Sequence, residues 1–114
     1  MAMDTAVESR GDVTVVRITG SVDGTTADQL NRAFAEQLTA GRRRLVAGLE
    51  AVEYTSSAGL RVLLATVKEA RSGGGDLRLA APRKEVLKVL ELSGFTGILK
   101  VYPDLESAVT SFAS

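Results

Sequence analysis

Two adjacent hydroxyls, Ser56 and Ser57, are the side chains of this chain best placed to do chemistry. They follow the apolar run Leu45-Val46-Ala47-Gly48-Leu49 and precede Leu60, Leu63, Leu64 and Val67. Those last four sit at i, i+3, i+4 and i+7, the stripe of an amphipathic helix. The hydroxyls therefore fall where a strand turns into a helix. The first backbone N–H groups of a helix lack partners and its dipole is positive there. A phosphate attached at this point is electrostatically favoured. The same chemistry serves a plainer purpose, since serine is a preferred N-cap. Residue types alone leave phosphoacceptor and helix cap both open.

Other chemistries are closed by composition. The chain has no Cys and no His. That removes a disulfide framework, a thiol nucleophile, a Ser–His dyad and the usual zinc ligands. An enzyme would have to rest on Asp, Glu, Lys or Tyr, and no paired carboxylates fall at a common strand end. We therefore expect a non-enzyme with no cofactor and no metal. Fourteen basic and fourteen acidic residues cancel, which argues against direct nucleic-acid binding. The single basic cluster, Arg42-Arg43-Arg44, follows Gly41 and suits the negative end of a helix. Met1-Ala2-Met3-Asp4-Thr5 has no apolar signal region, and no run approaches a membrane span. The expectation is a cytoplasmic protein without membrane contact.

The elements that position the serines are legible in outline. Residues 6–9 and 13–19 read as two strands joined at Arg10-Gly11-Asp12, a hairpin. Residues 13–19 alternate imperfectly, as a strand partly covered on both faces does. Thr26-Ala27-Asp28-Gln29 resembles a capping box with Thr26 as N-cap. Leu30, Phe34 and Leu38 line the helix that follows, which stops near Gly41. Residues 45–49 suit a central strand covered on both faces. A second helix spans about 57–71 and ends in Ser72-Gly73-Gly74-Gly75, read as a flexible connection and lacking the Gly-Lys-Ser/Thr element of a phosphate loop. Residues 77–80 form a third parallel strand. Pro82 introduces a helix with Val86, Val89 and Leu90 inward, closed at Gly94. Residues 98–102 form a last strand, and Pro103-Asp104 opens a terminal helix carrying Leu105, Ala108, Val109 and Phe112 inward. One domain over 1–114 follows, of α/β class, with a mixed, mostly parallel sheet after an N-terminal hairpin and about four helices.

Three stretches carry a family resemblance. Val52-Glu53-Tyr54-Thr55-Ser56-Ser57-Ala58-Gly59-Leu60 resembles the signature V-x-[FY]-[ILM]-[DS]-S-[SA]-G-L of the STAS family, in particular of bacterial anti-sigma factor antagonists. Ile18-Thr19-Gly20-Ser21-Val22-Asp23-Gly24-Thr25-Thr26-Ala27 is similar to the family's G-x-[LI]-D-x-x-[TS]-A segment. Lys88-Val89-Leu90-Glu91-Leu92-Ser93-Gly94-Phe95 resembles its L-x-x-x-G-[LF] helix end. The resemblance implies a STAS-type domain that binds a cytoplasmic anti-sigma factor, itself a serine kinase of the histidine-kinase-like ATPase type. It implies release on phosphorylation, resetting by a serine phosphatase, and control of sigma-factor availability. Aligning Gly59-Leu60 puts the phosphoacceptor at Ser57, with Ser56 as the alternative. The implied partner face comprises Asp23, Gly24, Thr25, Thr55, Ser56, Ser57, Ala58 and Arg61, with the loops at 20–25 and 52–57 as neighbours.

On residue chemistry Asp23 is equally a turn carboxylate, and Tyr54 a half-buried packing residue with a wet hydroxyl. Two departures from the family pattern stand out. Ser56 occupies a position that is often aspartate, and so does Gly48, a glycine that weakens a strand by about 0.5–1 kcal/mol unless something packs closely over it. The competing reading is a STAS subunit of a transporter or lipid-trafficking complex, never phosphorylated, in which both serines are caps.

Overall fold

The computed structural model describes residues 2–113. The hairpin forms as the sequence predicts, and its strands are longer than expected. Strand β1 (Met3–Arg10) pairs antiparallel with β2 (Val13–Val22) from Arg10↔Val13 to Met3↔Gly20. Helix α1 (Ala27–Thr39) leads to β3 (Arg44–Thr55), α2 (Ser57–Ser72) and β4 (Asp76–Ala80). Helix α3 (Lys84–Leu92), a 3₁₀ turn at Phe95–Gly97, β5 (Val101–Tyr102) and α4 (Leu105–Thr110) complete the chain. The sheet order is β1-β2-β3-β4-β5, parallel throughout except for β1.

Strand alternation assigns the two faces of this sheet. Ile18, Leu45, Ala47, Leu49, Leu77 and Leu79 join Leu30 and Phe34 of α1, Leu63 and Val67 of α2, and Val86 and Leu90 of α3 in the main core. Val13, Val15, Val46 and Ala80 face the other way, onto Ala108 with Leu105, Val109 and Phe112 around it. Three helices thus cover one face and α4 part of the other. This explains the imperfect alternation of β2, where Val13, Thr14, Val15 and Val16 are all buried.

Beyond Leu49, β3 continues to Thr55 with only Val52 and Thr55 buried. The sequence-based limit of 45–49 stopped where the two-sided cover ends. The last strand is shorter than predicted: Ile98 and Leu99 lie outside it, and Leu99 is buried in the core. Gly41 and Gly94 adopt φ of +83° and +77° and end their helices as expected.

Three local readings need correction. Thr26 sits at the N-cap of α1 but makes no cap bond, because its φ and ψ (−113°, −9°) are helical rather than extended. Its hydroxyl instead donates to the Ser21 carbonyl (2.9 Å), and Gln29 donates to the Met3 carbonyl (3.0 Å). The glycine run after α2 is a defined turn, not a flexible connection. Gly73 and Gly75 N–H donate to the Ala70 carbonyl, and a Cβ on Gly75 would run into the Arg43 carbonyl. Of the arginine cluster, Arg42 does stay at the end of α1, bonded to Gln37 (2.9 Å). Arg43 donates to the Glu69 carbonyl in the last turn of α2 (2.9 Å), and Arg44 pairs with Asp12 of the hairpin (2.8 Å). Tertiary neighbours claimed two of the three cations.

Gly48 lies beside Arg17, paired with it across β2 and β3, with Arg17 held by Glu8 and Glu50. A Cβ at position 48 would meet the Arg17 Cγ at 3.4 Å, an ordinary contact. Gly48→Ala is therefore expected to stabilise the fold by roughly 0.5–1 kcal/mol, read from urea melts. A loss of stability would mean that Arg17 needs the space.

Candidate functional site

The site is built where β2 and β3 end side by side. Ser21 pairs with Tyr54 and Val22 with Thr55, and the Ser56 N–H then donates to the Val22 carbonyl at 2.8 Å. That bond ties the turn into α2 directly to the residue before Asp23. The two loops that the resemblance makes neighbours are neighbours, at the carboxyl ends of parallel strands, where open α/β sheets expose their functional groups.

The two serines differ in what their hydroxyls bond. Ser56 has extended backbone (φ −94°, ψ 177°) and is the N-cap of α2, accepting from the Ala58 N–H at 3.2 Å. Ser57 is the first helical residue, is exposed, and its hydroxyl makes no hydrogen bond among the described residues. A cap is committed to backbone; the next hydroxyl is free and stands over unpaired N–H groups. Ala58 is half-buried. Arg61, one turn further along α2, is exposed and pairs with no carboxylate among the described residues.

Gly59 explains why a small residue follows the serines. Helix α2 comes down so close to β2 and β3 here that a Cβ on Gly59 would lie 2.7 Å from Val22 Cγ1 and closer still to Thr55 Oγ1. Thr55 itself is turned under this contact and only 8% exposed. The structure therefore withholds Thr55 from the surface, whereas Gly24, Thr25, Ser57 and Arg61 are exposed on it.

Asp23 builds a tight turn. Its carboxylate accepts from the Thr25 hydroxyl (2.7 Å) and the Thr25 N–H (2.8 Å), while its own N–H donates to Thr26 Oγ1 (3.0 Å). The Thr25 hydroxyl, followed by the Thr25 N–H, holds this carboxyl below its ordinary range. The turn reading of Asp23 is thus realised in the fold, and the residue is still half-exposed at the rim of the face.

This gives a pH test. A carboxylate whose folded pKa is depressed favours folding above its unfolded value, about 3.9, and that benefit is lost as pH falls through the lower folded value. Asp23→Asn is expected to melt below the wild type near neutral pH, with the gap closing in acid. Parallel melting curves at every pH would show that the charge takes no part in the turn.

Tyr54 was expected to be half-buried; it is 54% exposed. Beyond Gly48 the register of β3 on β2 shifts twice, so Val52 and Thr55 are buried while Glu53 and Tyr54 between them are exposed, and an aromatic ring stands uncovered beside the serines. Residues 50–55 do not alternate, so period-two reading could not have assigned Tyr54 to a face.

The chain matches the STAS domain family over residues 4–108. BtrV of Bordetella bronchiseptica, which carries the name of an anti-sigma factor antagonist, is 40% identical over 93 residues, covering 82% of this chain and 80% of that one. An anti-sigma factor antagonist from Mycobacterium paratuberculosis superposes with a TM-score of 0.92 at 29% identity, over 99% of this chain and 96% of that one. The unphosphorylated form of the antagonist SpoIIAA shares the fold (TM-score 0.81, 20% identity, 95% of both chains). With its family match over nearly the whole length, its hairpin-then-parallel sheet and its serine-bearing strand-to-helix turn, this chain belongs to the STAS domain family.

Proposed function

We propose that the protein is an anti-sigma factor antagonist whose binding is switched by phosphorylation of Ser57. The observation that carries this reading is the contrast at the turn: Ser56 is spent on the cap, whereas Ser57 is exposed and its hydroxyl has no hydrogen bond among the described residues. The names borne by relatives such as BtrV point to an anti-sigma factor as partner. The unmodified protein binds that factor in the cytoplasm, through the face formed by Asp23, Gly24 and Thr25 in the loop after β2, Tyr54 at the end of β3, and Ser57 and Arg61 in the first turns of α2. The factor is then free of its sigma subunit. A serine kinase of the histidine-kinase-like ATPase type, the anti-sigma factor itself, transfers the phosphoryl group to Ser57, and a serine phosphatase removes it.

The phosphate adds about −1.5 to −2 charges at a helix N-terminus, where an anion is tolerated. Its effect is therefore on the interface and not on the fold. The Ser57 Oγ attacks the γ-phosphorus of ATP, its proton passes to a base of the kinase, and ADP leaves. The antagonist contributes the nucleophile and its position; among its own residues no His or Cys stands by as base.

The test is incubation with the candidate ATPase and ATP, followed by site-resolved mass spectrometry. Phosphate on Ser57 is expected. Phosphate mainly on Ser56 would break the cap and move the assignment by one residue, and no transfer at all would favour the unphosphorylated subunit reading.

A further inference from the structure

The five-stranded sheet has two edges, and they differ. The β5 edge is two residues long, a length that blunts pairing with another chain. The β1 edge runs for eight residues without Pro, Lys or a bulge, in unbroken register with β2. From Asp4 to Arg10, no turn, loop or side-chain hydrogen bond occupies the outward backbone groups among the described residues; only the Met3 carbonyl is taken, by Gln29. On one side of this strand an open groove of about 730 Å³ separates it from α1, lined by Thr5, Gln29, Arg32 and Glu36. Val7, on that same side, is 47% exposed. A long, straight, unprotected edge with an uncovered apolar residue at its middle is a template for another strand.

The charges on β1 select the occupant. We propose that β1 pairs antiparallel with β1 of a second copy of this chain, in the register centred on Val7. Residues opposite one another in an antiparallel pair share a face, so a twofold pairing must be centred on a residue. Centred on Val7, Asp4 lies opposite Arg10 at both ends, Thr5 opposite Ser9, Ala6 opposite Glu8 and Val7 opposite its own counterpart. Centred on Ala6, Asp4 lies opposite Glu8 twice, a like-charge clash, and Val7 faces Thr5. Opposite charges directly across a pair stabilise it and like charges destabilise it. Asp4 has no ion-pair partner within its own chain among the described residues, although Arg10 already holds Glu8 and Glu106. The pairing supplies the missing partner and makes one ten-stranded sheet of the two copies. Seven residues from each copy make a small interface, so the dimer forms with concentration and dissociates on dilution. The inference is independent of the phosphorylation reading, since Ser57 lies at the end of β3 and not on this edge.

Sedimentation velocity over a concentration series and cysteine cross-linking test this together. The wild type is expected to shift from monomer to dimer as concentration rises. Asp4→Arg sets like charges opposite each other at both ends and is expected to weaken association about tenfold. The double variant Asp4→Arg/Arg10→Asp exchanges the charges and is expected to recover most of the loss. Because the chain has no native cysteine, Val7→Cys carries a single thiol, which oxidises to a disulfide-linked dimer only if the two copies meet there. Thr5→Cys, four residues off register from its own counterpart, is expected to cross-link far more slowly. A wild type that stays monomeric, with both cysteine variants cross-linking at equal low rates, overturns the proposal. So does a dimer indifferent to Asp4→Arg, or one trapped fastest by Ala6→Cys, which marks the other register.

Discussion

Ser57→Glu is expected to bind the anti-sigma partner more weakly than the wild type, whereas Ser57→Ala binds normally and is not released when ATP is present. The argument rests on where the side chain stands. Ser57 is the first residue of α2 and exposed, and its hydroxyl makes no hydrogen bond among the described residues, so neither substitution removes a side-chain hydrogen bond described in the fold. The glutamate carboxylate meets the positive end of the helix and costs the domain little. At the interface the same charge must be desolvated against the partner, and Asp23, on the loop tied to Ser56 through the Val22 carbonyl, adds a second negative group to that face. A 100-fold loss needs only about 2.8 kcal/mol. One carboxylate carries less charge than a phosphate, so the glutamate effect is the smaller of the two. Calorimetry of both variants, with melting curves alongside, checks the result. Equal affinity for Ser57→Glu and wild type would remove the switch and favour a constitutive STAS contact.

The second large effect is expected from Gly59→Ala, and it is a loss of stability of roughly 1–3 kcal/mol. Helix propensity alone has the opposite sign, since alanine improves on glycine inside a helix by about 1 kcal/mol. Overlap decides. The new Cβ would lie 2.7 Å from Val22 Cγ1 and would press on Thr55, and neither neighbour has room to move because both are buried at the ends of paired strands. Relief comes only if the N-terminal turn of α2 lifts away from β2 and β3. That movement displaces Ser57, so the variant is also expected to be a poorer kinase substrate. Urea melts and phosphorylation rates on one preparation check both parts. A stabilised Gly59→Ala would show that the turn can shift freely and that the close approach does not position the serine.

Much of this arrangement can be read from residue order. The apolar stripe after Ser57, the glycine stops at 41 and 94, and the hairpin at Gly11-Asp12 are short-range signals, set by helix and strand periodicity and by backbone conformations that glycine accepts most readily. They suffice for the element order and for the α/β class. The errors fell where a side chain had a choice between a local and a distant partner. Thr26 and Gln29 have the composition of a capping box, but Thr26 bonds the Ser21 carbonyl and Gln29 the Met3 carbonyl. Arg43 looks like a cation for the end of α1 and serves α2 instead. Sequence spacing ranks local partners first; packing brings in competitors from other elements.

By itself, then, the sequence determined that a serine pair stands at a strand-to-helix turn in a cysteine- and histidine-free α/β domain, because periodicity and composition are properties of the chain alone. It left open which serine is the cap, whether the loops at 20–25 and 52–57 touch, and which aromatic is uncovered. Those were decided by the parallel pairing of β2 with β3, which brings Val22 against Ser56, and by the close approach of α2 at Gly59. The contacts of Val22 with Ser56 and with Gly59 join residues more than thirty positions apart, and no local pattern encodes the distance between two strand ends.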